Sequence, residues 1–138
     1  MLAQAQKLLL IGQVTALSSV PIRTIRYYES LGLIESGDRT GGGFRQFDES
    51  VLARLSFIKR SQSLGLSLQE IGELLKVYDR GQLPCDDVKD RLKNKIVEID
   101  KQVDELLTLR SELSGILSGW ENFNTLQDGT ICPVIQKN

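Results

Sequence analysis

The stretch Pro21-Ile-Arg-Thr-Ile-Arg-Tyr-Tyr-Glu-Ser-Leu-Gly-Leu33 decides the fold of this 138-residue chain. Proline is favoured in the first turn of a helix, and a glycine such as Gly32 is typical of a helix end. The segment before it places Ile11, Val14 and Leu17 at helical spacing. Two short helices separated by a few residues predict a helix-turn-helix.

A glycine-rich stretch follows the second helix. It contains Gly41-Gly-Gly43 and then Phe44-Arg-Gln-Phe47, in which aromatic and polar residues alternate. This pattern is typical of a small hairpin with a flexible tip, which we call the wing. Arg39 and Arg45 would place cations on it, beside glycines that allow a close approach to a phosphate backbone.

The residues after the wing predict a second helix pair. Asp48 is suited to cap its first helix, and Gly65 would end that helix. Ser67 and Glu70 have the spacing of a capping box, which opens a helix that stops by Gly81. We therefore expect a winged helix-turn-helix DNA-binding domain over residues 1–81.

A heptad pattern occupies the next segment and predicts a hinge and dimerisation helix over residues 82–120. Such a helix would be roughly 50 Å long at 1.5 Å per residue, and the chain offers no second long helix to cover its apolar stripe. It is expected to form a coiled coil with a second copy, leaving residues 121–138 as an effector-sensing loop and tail. The predicted seam residues are Ile96, Ile99, Val103, Leu106, Leu113 and Leu117.

The second helix of the first pair carries side chains suited to DNA. Arg23, Arg26, Tyr27 and Tyr28 offer guanidinium forks and phenol hydroxyls that reach phosphates and base edges. An amphipathic helix with snorkelling arginines would show the same pattern without any DNA contact.

Composition excludes several classes of protein. Apolar residues make up 41% and charged residues 25%, as in ordinary globular domains, and no apolar run approaches the ~20 residues that span a bilayer. We expect a cytoplasmic protein with no membrane partner. The chain has no histidine, and Gly41-Gly-Gly43 is not followed by Lys-Ser/Thr, so we expect neither an enzyme nor an organic cofactor.

The ordered set of helix-turn-helix, wing, second helix pair and long helix resembles the MerR family of bacterial transcriptional regulators. The resemblance covers nearly the whole chain and implies a mainly α fold. It is carried by Ile11–Val14, Pro21–Leu33, Gly43–Phe47 and Leu64–Ile71.

The resemblance implies a homodimer with antiparallel long helices on double-stranded promoter DNA. In this family the effector-bound dimer bends and untwists a promoter whose spacer is too long for RNA polymerase. The family usually has Tyr where Phe44 and Phe47 stand here, so any hydrogen bond from those hydroxyls is absent. The residues placed at the DNA by the resemblance are Arg23, Arg26, Tyr27, Arg45, Lys59 and Arg60.

The short C-terminal end resembles that of the metal- or thiol-sensing subgroup, in which cysteines flank the long helix and meet across the dimer. Cys85 and Cys132 occupy the first and last of those places. Thiolates select soft ions, so Hg, Cu(I), Cd or Zn is the expected effector. The subgroup's middle thiol has no counterpart, and Trp120 stands near its place.

Three other interpretations stay open. The chain would be a sensor of electrophiles or oxidants if Cys85, alone or with Cys132, reacts covalently. It would be a coiled-coil adaptor or an architectural DNA-binding protein if it has no effector. Both thiols would then be ordinary packing residues.

Overall fold

The computed structural model describes residues 7–37 and 42–137. Arg39 and Gly41, predicted at the tip of the wing, lie outside the described residues. The chain divides into two compact units, one ending at Arg91 and the other beginning at Leu92. The elements in chain order are β1 (Leu8–Leu10), α1 (Ile11–Ser18), α2 (Ile22–Ser30), β2 (Gln46–Asp48), α3 (Val51–Ser63), α4 (Leu68–Asp79), α5 (Cys85–Ser118) and α6 (Pro133–Gln136).

The first unit has one hydrophobic core, to which both strands, α1 to α4 and the turns between them contribute. Phe47, Ile25 and Leu55 are among its largest fully buried side chains. Apolar side chains recur every three or four residues in α2, α3 and α4, so each helix turns one stripe inward. This core positions the exposed faces of α2 and α3.

Local capping chemistry sets the start of α4 and the end of α3, whereas the predicted Asp48 cap is wrong, since the N-cap of α3 is Ser50. The backbone N–H of Glu70 donates to Ser67 Oγ at 3.1 Å, and the Ser67 N–H donates to Glu70 Oε1 at 3.2 Å. This reciprocal pair is the predicted capping box of α4. At the end of α3, Gly65 has φ +89°, which favours glycine over other residues.

The sheet differs from the predicted hairpin. β2 pairs antiparallel with β1, in the register Leu8↔Asp48, Leu9↔Phe47 and Leu10↔Gln46. Across the base of the wing, the Gly37 N–H donates to the Gln46 carbonyl at 2.8 Å. Strand β1 was not predicted because three consecutive leucines carry no alternation, and pairing with a strand almost forty residues away leaves no local signal.

The long helix α5 confirms the predicted mainly helical fold. It spans 34 residues, or about 51 Å, and over this length no residue is fully buried. No helix among the described residues is long and apolar enough to cross a membrane.

Candidate nucleic-acid interface and thiol sites

The outer face of α2 carries the predicted DNA-facing side chains. Arg23, Arg26 and Tyr27 are exposed, and the Tyr27 side chain is 53% accessible. Ile25 on the opposite face is fully buried and anchors the helix in the core. The helix therefore presents two guanidinium groups and one phenol to solvent from a fixed support.

Tyr28 corrects one of the predictions. It is only 6% exposed, and its hydroxyl donates to Gln62 Oε1 at 2.6 Å, tying α2 to α3. Burial raises the pKa of the Tyr28 hydroxyl above its ordinary value. Tyr28 is thus a core residue rather than a DNA-facing one, and its spacing of three from Ile25 was the signal that separates it from Tyr27.

A cleft of about 640 Å³ lies between α2 and the wing. Arg26 lines this cleft from α2, and Arg45, the residue directly before β2, lines it from the wing. The Arg45 guanidinium forms an ion pair with Glu29, for which the sequence predicted no role. The cleft is lined by Leu10, Ile11, Arg26, Glu29, Ser30, Gly43, Phe44 and Arg45.

A second open cleft, of about 450 Å³, lies between α1 and α3. Lys59 and Arg60 line it, together with Ser18, Ser56 and Ser63. Both cations are exposed, and Arg60 Nη1 donates to Ser63 Oγ at 3.3 Å. Two cations beside hydroxyl donors are suited to hydrogen-bond a phosphate.

The two thiols are free and belong to different compact units. Cys85 is exposed at the first residue of α5, followed by Asp86 and Asp87. Cys132 is half-buried at the N-cap of α6. Within residues 7–37 and 42–137, no group of three Cys, His, Asp or Glu side chains lies close enough to hold a metal ion.

The backbone at Cys132 is held by one side chain. Gln136 Oε1 accepts from the N–H of Ile131 at 2.7 Å and from that of Cys132 at 3.0 Å. Its amide nitrogen donates to the Gly129 carbonyl at 3.4 Å. These three bonds give the turn that carries the thiol a defined conformation.

The predicted seam of α5 is exposed in the single chain. Its six residues range from 47% exposed for Val103 to 69% for Leu117. Leu107 and Leu109 widen the apolar surface on either side. An exposed apolar stripe of this length is typical of a protein interface.

Comparison with known proteins identifies the family. A family model described as "MerR HTH family regulatory protein" matches residues 9–77, and one described as "MerR, DNA binding" matches residues 52–116. The mercuric resistance operon regulatory protein of Bacillus cereus is 37% identical over 126 residues, covering 91% of this chain and 93% of that protein.

Two solved structures are similar over most of their length. The regulator PbrR691 of Ralstonia metallidurans CH34, in complex with lead(II), is 32% identical with a TM-score of 0.72, covering 85% of this chain and 91% of that one. MerR of Bacillus megaterium MB1, in complex with mercury(II), is 33% identical with a TM-score of 0.59, covering 88% and 91%. The chain therefore belongs to the MerR family of helix-turn-helix regulators, and it is a DNA-binding transcriptional regulator rather than an enzyme.

Proposed function

We propose that this protein is a homodimeric regulator that bends and untwists double-stranded promoter DNA for RNA polymerase in response to a soft metal ion. The exposed row of Arg23, Arg26 and Tyr27 on α2 carries the DNA-binding part of the proposal. A helix of this kind, anchored by buried residues on its other face, is suited to enter the major groove. The cytoplasm, where promoters lie, is its proposed location.

The remaining cations extend this surface. Arg45 on the wing side and Lys59 and Arg60 on α3 line open clefts of the same compact unit. They are proposed to bind phosphates on either side of the groove that α2 occupies. Arg39 on the wing belongs to the proposed set by its sequence position alone.

The DNA contacts are tested with Arg23→Ala. We expect operator binding to weaken by about tenfold or more at fixed salt, because a charged side chain to a phosphate or base is lost. Lys89→Ala removes the same charge from an exposed position of the same unit and is the matched control. Unchanged affinity in the Arg23 variant would remove this residue from the interface.

The dimer is proposed from the exposed seam. Apolar side chains covering some 30 Å of helix favour a partner with the same stripe, which a second copy of the chain supplies. Two copies also set two DNA-binding domains at a defined separation, as a palindromic DNA site requires.

The effector is proposed from the donor chemistry and the relatives. Cys85 and Cys132 supply two thiolates, the ligands that soft ions prefer, and two of the similar proteins bind lead(II) and mercury(II). Two sulfurs satisfy Hg(II) or Cu(I) in linear coordination, whereas four-coordinate Zn or Cd needs further ligands. In the dimer, Cys85 of one subunit would join Cys132 of its partner.

Metal titration of the reduced dimer tests the effector. Hg(II), Cu(I), Zn(II) and Cd(II) are each added while the ultraviolet thiolate-to-metal band and the mass-defined stoichiometry are followed. We expect one soft ion per site, and loss of binding in both Cys85→Ser and Cys132→Ser, with DNA binding retained. A control, Thr108→Cys, adds a thiol at an exposed position in the middle of α5 to each variant and should not restore the site.

The exposure of Cys85 favours a second candidate, an electrophile or oxidant sensor. This function predicts no metal binding that survives a small competing thiol, together with loss of induction in Cys85→Ser. If blocking both thiols also leaves transcription unchanged, the chain is an architectural DNA-binding protein without an effector.

A further inference from the structure

One carboxylate of α2 is bonded through both of its oxygens to the wing. Glu29 Oε1 accepts from Arg45 Nη1, and Glu29 Oε2 accepts from Ser36 Oγ. The Glu29 side chain is only 17% exposed, so both bonds are shielded from water. Shielding strengthens an ion pair relative to one at the open surface.

The two partners of Glu29 lie on opposite sides of the wing. Ser36 precedes Gly37 and Arg45 precedes Gln46, and the backbones of Gly37 and Gln46 are joined by a hydrogen bond of 2.8 Å. Glu29 thus holds both roots of the wing against α2, the helix that carries Arg26.

The position of this carboxylate is unfavourable by charge alone. It lines the same cleft as Arg26 and Arg45, on the face proposed to meet phosphates. A negative charge there repels DNA, so its presence needs a compensating effect. The compensating effect is that Glu29 orients Arg45. The Arg45 guanidinium has five N–H donors and its side chain remains 40% exposed while it is paired with Glu29, so donors are left for a phosphate.

We propose that Glu29 is a positioning residue for DNA binding: it holds the wing against α2 and aims the free donors of Arg45 at a phosphate. This inference rests on the proposed DNA contact of Arg45. It separates Glu29 from Arg23 and Arg26, which are proposed to meet the DNA themselves.

Glu29→Gln makes the test sharp, because it keeps the shape of the side chain and removes its charge. Simple electrostatics predicts tighter DNA binding, since one negative charge leaves the interface. Positioning predicts the opposite, a weakening of at least about fivefold, because a charge-assisted hydrogen bond to Arg45 becomes a neutral one. The probe is a duplex that the wild-type 138-residue protein selects from a random-sequence library, and its affinity is measured for every variant at the same series of salt concentrations.

Glu35→Gln is the matched control. It removes the same charge from an exposed residue directly before Ser36. We expect its affinity to stay within about twofold of wild type. Urea unfolding of every variant shows whether the free energy of unfolding of the first compact unit stays unchanged.

Coupling to Arg45 distinguishes positioning from a general structural effect. Glu29→Gln should weaken binding in the wild-type background and have no weakening effect in the Arg45→Ala background, since Glu29 then has no guanidinium to aim. Arg45→Ala itself should weaken binding and lower the salt slope by about one. A Glu29→Gln loss that persists in full without Arg45 would overturn the inference, as would unchanged or tighter binding in Glu29→Gln alone.

Two failures are told apart in the same experiment. If Arg45→Ala leaves affinity unchanged, the proposed DNA contact of Arg45 is wrong, and the inference about Glu29 is overturned with it. If only Arg45→Ala weakens binding, the contact stands and the positioning role of Glu29 is wrong. If Glu29→Gln does not fold, Ser36→Ala removes one of the two bonds without changing charge, and it should weaken binding about twofold to threefold.

Discussion

Helices α3 and α5 contain similar apolar residues at similar spacing, yet one buries them and the other does not. In α3, Leu55 and Ile58 are completely buried, whereas Ile99 and Leu106 of α5 are more than half exposed. The short connections around α3 fold neighbouring helices and the β1–β2 sheet over its apolar stripe. The helix α5 runs for 34 residues, and its seam residues from Ile96 to Leu117 stay exposed in the second compact unit. The same sequence pattern therefore specifies a core in one region and an interface in the other.

The largest expected effect is on the exposed apolar stripe of α5, which we expect to form the dimer interface. Ile99→Asp should convert the protein to monomers, raising the dimer dissociation constant by at least about a hundredfold, because each subunit would bury an unpaired carboxylate. Sedimentation velocity across a concentration series measures it. The control is Asn94→Asp, which adds the same charge on the outer side of the heptad and should leave the dimer intact. A persisting Ile99→Asp dimer would show that this stripe is not the seam.

A smaller effect is expected on the stability of the first compact unit when the buried stripe of α3 is changed. Leu55→Ala should lower the free energy of unfolding by about 2–5 kcal/mol, because a fully buried side chain leaves a cavity. Urea denaturation at one fixed protein concentration measures the change. Leu83→Ala is the control, since Leu83 is 80% exposed and its loss should cost less than about 0.5 kcal/mol. Equal costs in the two variants would contradict the assigned core.

The smallest effect concerns the hydrogen bond between Tyr28 and Gln62 in the first compact unit. Tyr28→Phe should cost about 0.5–1.5 kcal/mol at neutral pH, because the hydrogen bond to Gln62 is lost. Burial raises the pKa of Tyr28 in the folded state above its unfolded value of about 10. The folded protein therefore holds this proton more tightly, and the stability it contributes is present below pH 10 and is lost as pH rises through the folded pKa.

Unfolding curves recorded from pH 7 to pH 11 test this prediction. The alkaline loss of stability should be smaller in Tyr28→Phe than in wild type. Tyr27→Phe, which alters the neighbouring exposed tyrosine, should stay within about 0.5 kcal/mol of wild type at neutral pH. If the wild type and Tyr28→Phe lose stability in parallel, the Tyr28 hydroxyl does not titrate as a buried group.

Local sequence signals predicted most of the fold. Helix α2 begins at Ile22, directly after Pro21, and α4 begins with the Ser67–Glu70 capping box. These boundaries were predictable because caps and helix-favouring prolines act within three or four residues of one another. The family followed from the order of such elements along the chain.

Long-range contacts account for what was missed. The bond from Tyr28 to Gln62 joins residues 34 positions apart, and the bond from Arg45 to Glu29 joins residues 16 apart. Heptad spacing and capping rules apply to residues a few positions apart, so they do not predict which distant residues form hydrogen bonds. As a result, Tyr28 was predicted at the DNA with Tyr27, and neither the ion pair of Arg45 nor a role for Glu29 was predicted.

By itself, the sequence determined the starts of α2 and α4, the family and the identity of the cations and thiols, because these depend on residue types at short spacing. Only the tertiary structure decided which side of α2 is buried, which strand pairs with β2 and which acid holds the wing. Those outcomes depend on which distant segments the shared core brings together, and packing of a core is a property of the whole unit.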